Sequence, residues 1–455
     1  MADLEAFRDE CRAALDPSSV ITDAEVIAGQ VVDWTGRWQG RTPVLVRPGS
    51  TADVALVVGA ARRHGVALVP QGGNTGLVGG SVPLAGEVLV DLRRLDHLES
   101  VDVTAAQVTA GAGAVLARLQ AHVAAAGLAF GVDHGARDSA TIGGMVATNA
   151  GGLHVLRHGA MRRQVVGVEA VLGTGEVLSA NMTGLVKDNT GYDLPGLLCG
   201  SEGTLAIVTQ VRLALVRRPP ARLVALLALP SVAAAVDALP ALRALPSLNA
   251  VELVLGSGLE LVAHHLVVGV PFAPVPPCAL LVELAGAGSL ADELAPAFDR
   301  LGDTVIASAV ADDDSGMARL WRWREAHNEA AAGLGIVHKA DVTLPLTTMA
   351  DFVDQVATRV DAVSPGATTL VYGHLGDGNV HVNVVGPDVD DEAPIDLVMR
   401  MVLDRGGSIS AEHGIGTAKR RWLEAQRGST AVAAMRAVKQ AFDPDGVLNP
   451  NVLFL

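Results

Sequence analysis

The chain has 455 residues, half of them hydrophobic, with 34 Lys and Arg against 49 Asp and Glu and a formal net charge of −15. That length supplies about two or three domains with real cores, and the composition excludes a disordered chain. The acidic balance argues against nucleic acid as a partner, although a local basic pocket can still take an acidic substrate. The start Met1-Ala2-Asp3-Leu4-Glu5 lacks a signal-peptide pattern, and the longest uncharged run, Leu261 to Val282, carries Pro271, Pro274, Pro276 and Pro277, which oppose a membrane helix. Cys11, Cys199 and Cys278 are too widely spaced for a disulfide framework or a zinc ribbon. A reducing cytoplasm is the simplest home for them, with a peripheral place on a membrane as the alternative.

Residues 1–40 read as a helical lead-in, with Trp34 and Trp38 placed to pack against the body. Val44-Leu45-Val46 is a short strand closed by Arg47-Pro48-Gly49, and Ser50 or Thr51 caps a helix running to about Arg63. After His64-Gly65 the strand Val66 to Val69 feeds a glycine-rich loop, so the loop stands at a strand's carboxyl end, a usual place for a ligand. Strands follow at 88–92 and 107–110, then a helix from about Ala114 to Ala125, a loop from Gly131 to Asp138, and a hairpin of 165–172 and 176–179 around Gly173-Thr174-Gly175. Arg217-Arg218-Pro219-Pro220 breaks the composition. Beyond it, apolar strands at 223–229, 251–254 and 280–284 alternate with Ala-rich helices, which suggests an α+β domain.

Two stretches carry the first piece of chemistry. Pro70-Gln71-Gly72-Gly73-Asn74-Thr75-Gly76-Leu77-Val78-Gly79-Gly80-Ser81 offers turn amides that a ligand can approach closely, which makes it a phosphate cradle. Thr141-Ile142-Gly143-Gly144-Met145-Val146-Ala147-Thr148-Asn149-Ala150-Gly151-Gly152 opens a small-residue helix whose N-terminus also favours an anion. Two such sites suit a diphosphate. Neither has the spacing of a Rossmann motif or a P-loop, and the plain alternative is a pair of flexible loops.

Together the two stretches resemble the FAD-binding domain of the vanillyl-alcohol-oxidase-like flavoproteins, nearest to the branch with D-lactate, D-2-hydroxyglutarate and glycolate dehydrogenases. The resemblance implies an α+β fold with a two-part FAD-binding domain over 1–217. An α+β substrate domain with an antiparallel sheet would span 218–410, and a C-terminal segment, 411–455, would return to the flavin. It implies that FAD is held by Pro70, Gly72, Gly73, Asn74, Thr75, Gly76, Leu77 and Ser81, by Gly135, Asp138 and Ser139, and by Thr141, Ile142, Gly143, Gly144, Ala147, Asn149, Gly151 and Gly152. The run Gly200-Ser201-Glu202-Gly203-Thr204-Leu205 would lie along the cofactor, adding Glu202, Gly203 and Ile207, and the tail would bring Asn449 near the isoalloxazine. Some members attach the flavin through a His in the first loop. Asn74 stands in that loop here, so non-covalent FAD is expected.

The second constellation is Tyr372-Gly373-His374-Leu375-Gly376-Asp377-Gly378-Asn379-Val380-His381-Val382-Asn383. Folded symmetrically about the Gly-Asp-Gly-Asn turn, it sets His374 opposite His381 and Tyr372 opposite Asn383. Alternation then puts these four polar groups on one face and Leu375, Val380, Val382 and Val384 on the other. Opposed Cβ atoms roughly 5 Å apart suit two imidazoles on one metal, or simply a polar surface pair. Catalytic zinc takes about three protein ligands, and Glu412 in Ser410-Ala411-Glu412-His413-Gly414 is the natural third, unless it is a cap or loop carboxylate.

Both segments are similar to signatures of the D-2-hydroxy-acid dehydrogenase branch. That similarity implies a divalent metal, zinc or else manganese, on His374, His381 and Glu412, His413 as catalytic base, and Asn383 beside the substrate. It also implies carboxylate-binding roles for Arg324 and Lys339, with Arg322 the competing candidate two residues away. Asn328 stands where hydroxyglutarate enzymes carry a hydroxyl residue, so recognition of the distal group departs from the pattern. The implied activity is oxidation of a D-2-hydroxy acid, D-2-hydroxyglutarate above D-lactate or glycolate, with hydride transfer to flavin N5 or, alternatively, a carbanion route. The implied electron acceptor is a quinone, an electron-transfer flavoprotein or a cytochrome, and a homodimer is in keeping with the family. The rivals are a sugar oxidase or ether-lipid synthase chemistry without the metal, and a non-catalytic flavin-binding subunit.

Overall fold

A computed structural model describes residues 3–454. The chain divides into two compact units, one formed by 1–152, 158–218 and 412–455, the other by 153–157 and 219–411. No helix among the described residues is long and apolar enough to cross a membrane.

The first unit holds two four-stranded sheets. In one, β1 (Val20–Ile21) pairs antiparallel with β2 (Leu45–Val46), while β2 and β3 (Leu68–Gln71) both run parallel to β4 (Val88–Asp91). The crossover from β2 to β3 is α1 (Thr51–His64). Ser50 caps it by accepting from the Asp53 amide at 3.1 Å, Arg62, Arg63 and His64 sit at its negative end, and Gly65 closes it at φ 64°. Its Val54, Val57, Val58 and Ala61 are buried in one core with Val46, Leu68, Val88 and Val90.

The other sheet is antiparallel in the order β5 (Gln107–Gly111), β8 (Ala206–Ala214), β6 (Val165–Leu172), β7 (Val177–Ala180). The helices α2 (Leu116–Ala124) and α3 (Ile142–Thr148) contribute Leu116, Leu119, Val123, Ile142 and Val146 to its core. Trp38 lies against Gly79, whereas Trp34 is half exposed at 53% and does not pack inward as the sequence suggested.

The last residues complete the first unit. Leu68 donates to the Val447 carbonyl at 2.8 Å, and Asn449 donates to the Leu68 carbonyl at 2.8 Å. A buried Asp443 accepts from the amides of Val447 at 3.0 Å and Leu448 at 2.9 Å and pairs with Lys439. The Lys439 ammonium also donates to the carbonyls of Thr204 and Leu448, each at 2.7 Å.

The second unit is built on one antiparallel seven-stranded sheet. Its strands in chain order are β9 (Ala221–Leu229), β10 (Leu248–Leu255), β11 (Cys278–Gly286), β12 (Ala307–Ala311), β13 (Val337–Thr343), β14 (Thr368–Gly373) and β15 (Asn379–Val385). Their spatial order is β12-β9-β11-β10-β14-β15-β13. Near-continuous apolar runs such as Leu223 to Leu229 are buried because both faces are covered. The helices α4 (Gly256–Leu266), α5 (Asp314–Glu325) and α6 (His327–Ala332) bring Leu259, Val262, Met317, Trp321 and Ala330 into these cores.

The short segment 153–157 belongs here because its polar groups do. His154 meets Glu283 at 3.1 Å, and Arg157 donates to the carbonyls of Ser247 at 2.9 Å and Ala285 at 2.5 Å.

Asp443 is 1% exposed and has no solvent to replace its partners. Asp443→Ala is expected to lower unfolding free energy by about 2–3 kcal/mol in urea denaturation, because it strands Lys439 and two amides together. Asp443→Asn should cost less, since it keeps one acceptor.

Candidate functional site

Strand β3 ends at Gln71 and releases the chain into the first glycine stretch. A methyl on Gly72 would overlap the Thr141 hydroxyl, and one on Gly73 would overlap the Ser139 carbonyl. Bare glycines therefore bring the two stretches side by side. Gly76 differs, since a methyl there would meet nothing within 4 Å, and the same holds for Gly135.

Three buried polar atoms around this cradle, Gln71 Oε1, Thr141 Oγ1 and Asn449 Oδ1, lack a hydrogen-bond partner among the described residues. Buried polar atoms rarely go unmatched, so the cluster marks a place shaped for a polar ligand. The backbone amides, small residues and orphaned acceptors fit a dinucleotide such as FAD.

The other candidates in this unit divide by what their side chains touch. Asn74 sits at φ 52°, donates to the Val32 carbonyl at 2.8 Å and accepts from Ser81 at 3.0 Å, so it shapes the loop. Pro70 lies in β3 against Gly203, Thr75 and Leu77 are half-buried in the loop, and Asp138 and Ser139 are exposed. Ile142, Gly143, Gly144 and Ala147 lie in α3, Gly143 hard against Ala112. Asn149 closes α3 at φ 50° and accepts from the Arg162 amide at 2.8 Å. The Ile207 side chain is buried in the core beside Val171.

The Glu202 carboxylate lies beside Gly80, at the end of the first glycine stretch. It accepts from the amides of Ile415 at 2.8 Å and Gly416 at 2.7 Å, and the Glu202 backbone carbonyl accepts from Asn449 at 2.7 Å. Burial pushes its carboxyl up to about 7, against the pull of those two amides and of Lys419. Glu202 thus fastens the loop that carries Glu412 and His413. The Glu412 carboxylate in turn lies against Gly151, at 2.6 Å from where a methyl would stand.

In the second unit the paired strands correct the symmetrical hairpin. Tyr372 is opposite His381 and Leu370 is opposite Asn383, so His374 does not face His381 across the ladder and Tyr372 does not face Asn383. Strand β14 stops at Gly373, and a 3-10 turn, Leu375–Asp377, closed by Gly378 at φ 82°, takes up residues that the symmetrical fold spends on strand. A shift of two residues leaves every side chain on its own face, because the side-chain period is two. Tyr372, His381 and Asn383 therefore still share a face. The His374 ring, just before the turn, stands edge-on to the His381 ring with centroids 5.3 Å apart.

Each imidazole has a carboxylate at Nδ1. His374 Nδ1 meets Glu252 Oε1 at 2.7 Å, and His381 Nδ1 lies 3.4 Å from Asp341 Oδ1. A proton held on Nδ1 in this way puts the lone pair on Nε2, the usual arrangement of a metal-bound histidine. Burial also pushes His381 down to about 4, despite Asp341, so the ring is neutral at ordinary pH, as a ligand must be. This donor set fits a divalent metal.

Arg324 joins the group, its Nε donating to Glu252 Oε2 at 2.7 Å and its guanidinium carbon 4.7 Å from the centre of the Tyr372 ring. Arg324 is buried while Arg322 is exposed, which separates the two candidates. Farther along the face, the Asn328 amide oxygen accepts from Lys339 at 2.9 Å and from the Tyr372 hydroxyl at 2.8 Å, and Asn383 donates to that hydroxyl at 3.0 Å. Burial lowers the Lys339 ammonium to about 8. His327 packs on Tyr372 with centroids 4.6 Å apart and is held neutral, down to about 3, by burial.

Sequence reasoning missed Glu252 and Asp341 as the carboxylates behind the imidazoles. Glu252 sits in Val251-Glu252-Leu253, a single charge in an apolar strand. Glu283 has the same context in Val282-Glu283-Leu284, yet it accepts from Arg222 at 2.6 Å, Trp321 at 2.7 Å, Asn249 at 2.5 Å and His154 at 3.1 Å. Pattern alone does not separate a carboxylate serving a site from one tying a fold.

Comparison with known proteins adds an independent line. Residues 42–181 match the FAD binding domain, and residues 218–453 match the C-terminal domain of FAD linked oxidases. The chain is 38% identical over 434 residues to a D-2-hydroxyglutarate dehydrogenase of Xanthomonas citri pv. viticola, covering 93% of this chain and 91% of that protein. It is 36% identical over 458 residues to the mitochondrial D-2-hydroxyglutarate dehydrogenase of Danio rerio, covering 98% and 84%. In fold it is similar to the 4-ethylphenol oxidase from Gulosibacter chungangensis, with a TM-score of 0.77, 18% identity, and coverage of 100% and 98%.

The two kinds of glycine give a direct test. Gly76→Ala is expected to leave the thermal midpoint of the flavin-free protein unchanged while weakening FAD binding about tenfold or more, read by flavin fluorescence. Gly73→Ala should lower both, because it displaces the Ser139 backbone.

Proposed function

The chain belongs to the FAD-linked oxidases, a family of oxidoreductases, and we propose that it oxidises a D-2-hydroxy acid, D-2-hydroxyglutarate first, to the 2-keto acid. The observation that carries this reading is the gathering of His381 and Lys339 on one sheet face with His374, just past the end of β14, and Arg324, from helix α5, both imidazoles being backed by carboxylates. The names of the relatives support the substrate class.

Bound FAD supplies the two-electron acceptor, and His374, His381 and Glu412 are the residues that would hold a divalent ion, zinc or manganese, as a Lewis acid. Arg324 takes one carboxylate of the acid with the donors its fork offers beyond Nε. Lys339 takes the other, with Asn328 and Tyr372 setting where its ammonium stands. Asn383 orients the substrate through the same network. His413 would take the hydroxyl proton, and a bound FAD would supply the acceptor for the carbon-bound hydrogen and its electron pair. The FAD would be held non-covalently, a reading supported by Asn74 in the first loop, whose side chain is engaged by Val32 and Ser81.

Anaerobic mixing of the flavin-loaded protein with D-2-hydroxyglutarate should bleach the flavin, whereas L-2-hydroxyglutarate should not, and a chelator should abolish the bleaching. Bleaching by D-lactate or glycolate alone would keep the chemistry and move the substrate. No bleaching by any acid would favour a non-catalytic flavin-binding subunit. His413→Ala should slow flavin reduction by about 100-fold or more while FAD still binds.

Lys339 sets a pH limb. It is charged below about 8 and neutral above, so KM for a dicarboxylic acid should rise as pH climbs past about 8. Lys339→Arg should move that limb upward, since Arg stays protonated.

A further inference from the structure

Glu252 has a part in the site that neither the sequence pattern nor the family comparison assigns. It is 1% exposed, and its two oxygens go to different functional groups: Oε1 to His374 Nδ1 and Oε2 to Arg324 Nε, each at 2.7 Å. Those two partners also approach one another, Arg324 NH2 standing 3.5 Å from His374 Nε2.

We infer that Glu252 is a positioning residue that fixes, through one rigid carboxylate, both the imidazole of His374 for a divalent cation and the guanidinium of Arg324 for a substrate carboxylate. The inference rests on the metal and substrate reading above. Its consequence is that metal affinity and substrate affinity depend on the same group.

The chemistry requires a carboxylate. Two donors approach it, and an ionised carboxyl offers an acceptor to each. An amide offers one oxygen, and its NH2 would face the second donor. The charge also stabilises Arg324 where solvent cannot, and it raises the basicity of the imidazole it holds. Glu283, on the neighbouring strand β11, supplies the contrast. It is equally buried and has four donors, Arg222, Trp321, Asn249 and His154, yet none of them is a candidate metal ligand or carboxylate binder. Loss of Glu283 should harm the fold and not the site.

The test uses the full-length flavin-loaded protein stripped with a chelator. Zinc(II) and manganese(II) are then titrated by competition with a chromophoric chelator, and KM is measured at saturating metal. Glu252→Gln should weaken the binding of both ions by about 10- to 100-fold and raise KM by about tenfold or more. Glu283→Gln should lower the thermal midpoint and leave the metal affinity within about twofold. If Glu252→Gln does not fold, Glu252→Asp serves in its place: it keeps the charge, shortens the reach by one methylene, and should weaken both affinities.

Unchanged metal affinity in the Glu252 variants, or weaker metal binding with unchanged KM, would overturn the inference. His374→Ala separates the two levels. If it leaves metal binding intact, the metal site itself is wrong. If it abolishes binding while Glu252→Gln does not weaken it, only the role of Glu252 falls.

Discussion

A carboxylate buried in an apolar sheet has to be met by donors, and much of this molecule is arranged around that requirement. Glu252, Glu283 and Asp341 are each 1% exposed or less. An unmatched charge at such a place costs several kcal/mol, more than most single contacts return. The three therefore dictate where Arg324, His374, His381, Arg222, Trp321 and His154 stand. The first unit follows the same rule with Glu202 on the 415–416 amides and Asp443 on the 447–448 amides. A fold assembled mainly from Ala, Val, Leu and Gly has few polar groups to specify it, and these acids supply the specification.

The same constraint makes the second unit's sheet chemically useful. Two imidazoles, a guanidinium and an ammonium would repel one another if all were charged. The structure resolves this by keeping His381 neutral through burial and by setting an anion between His374 and Arg324. What remains is a cluster in which imidazole lone pairs and the cationic donors of Arg324 and Lys339 stand together without mutual repulsion.

Much of this was legible in the residues. The strand that feeds the glycine cradle, the helix capped by Ser50 and the hairpin 165–180 follow from periodicity and punctuation, and they are present. The polar face of the 372–383 hairpin was legible as well, because alternation survives an even shift. The register was not, since nothing local states that three residues after His374 coil into a 3-10 turn. Trp34 illustrates a different limit: placed by the sequence to pack against the body, it lies half exposed. The excursion of residues 153–157 into the second unit depends on Glu283 and on the carbonyls of Ser247 and Ala285, partners far away in the chain. Long-range matches of that kind leave no mark on a local pattern, and the partnership of Glu252 with His374 and Arg324 is of the same sort.

The way the last residues close the first unit bears on the order in which the protein is made. A ribosome that has released the chain only as far as residue 411 has delivered the whole seven-stranded sheet, yet the parallel sheet still lacks Val447 and Asn449 beside Leu68, and Glu202 still lacks its two amides. The glycine loops emerge early, but the residues that brace them, 415–416 and 447–449, arrive at the end of the chain. The unit that comes first in the sequence is therefore completed last. A chain released short of Asp443 would carry a finished sheet of the second unit beside an unfinished cofactor cradle.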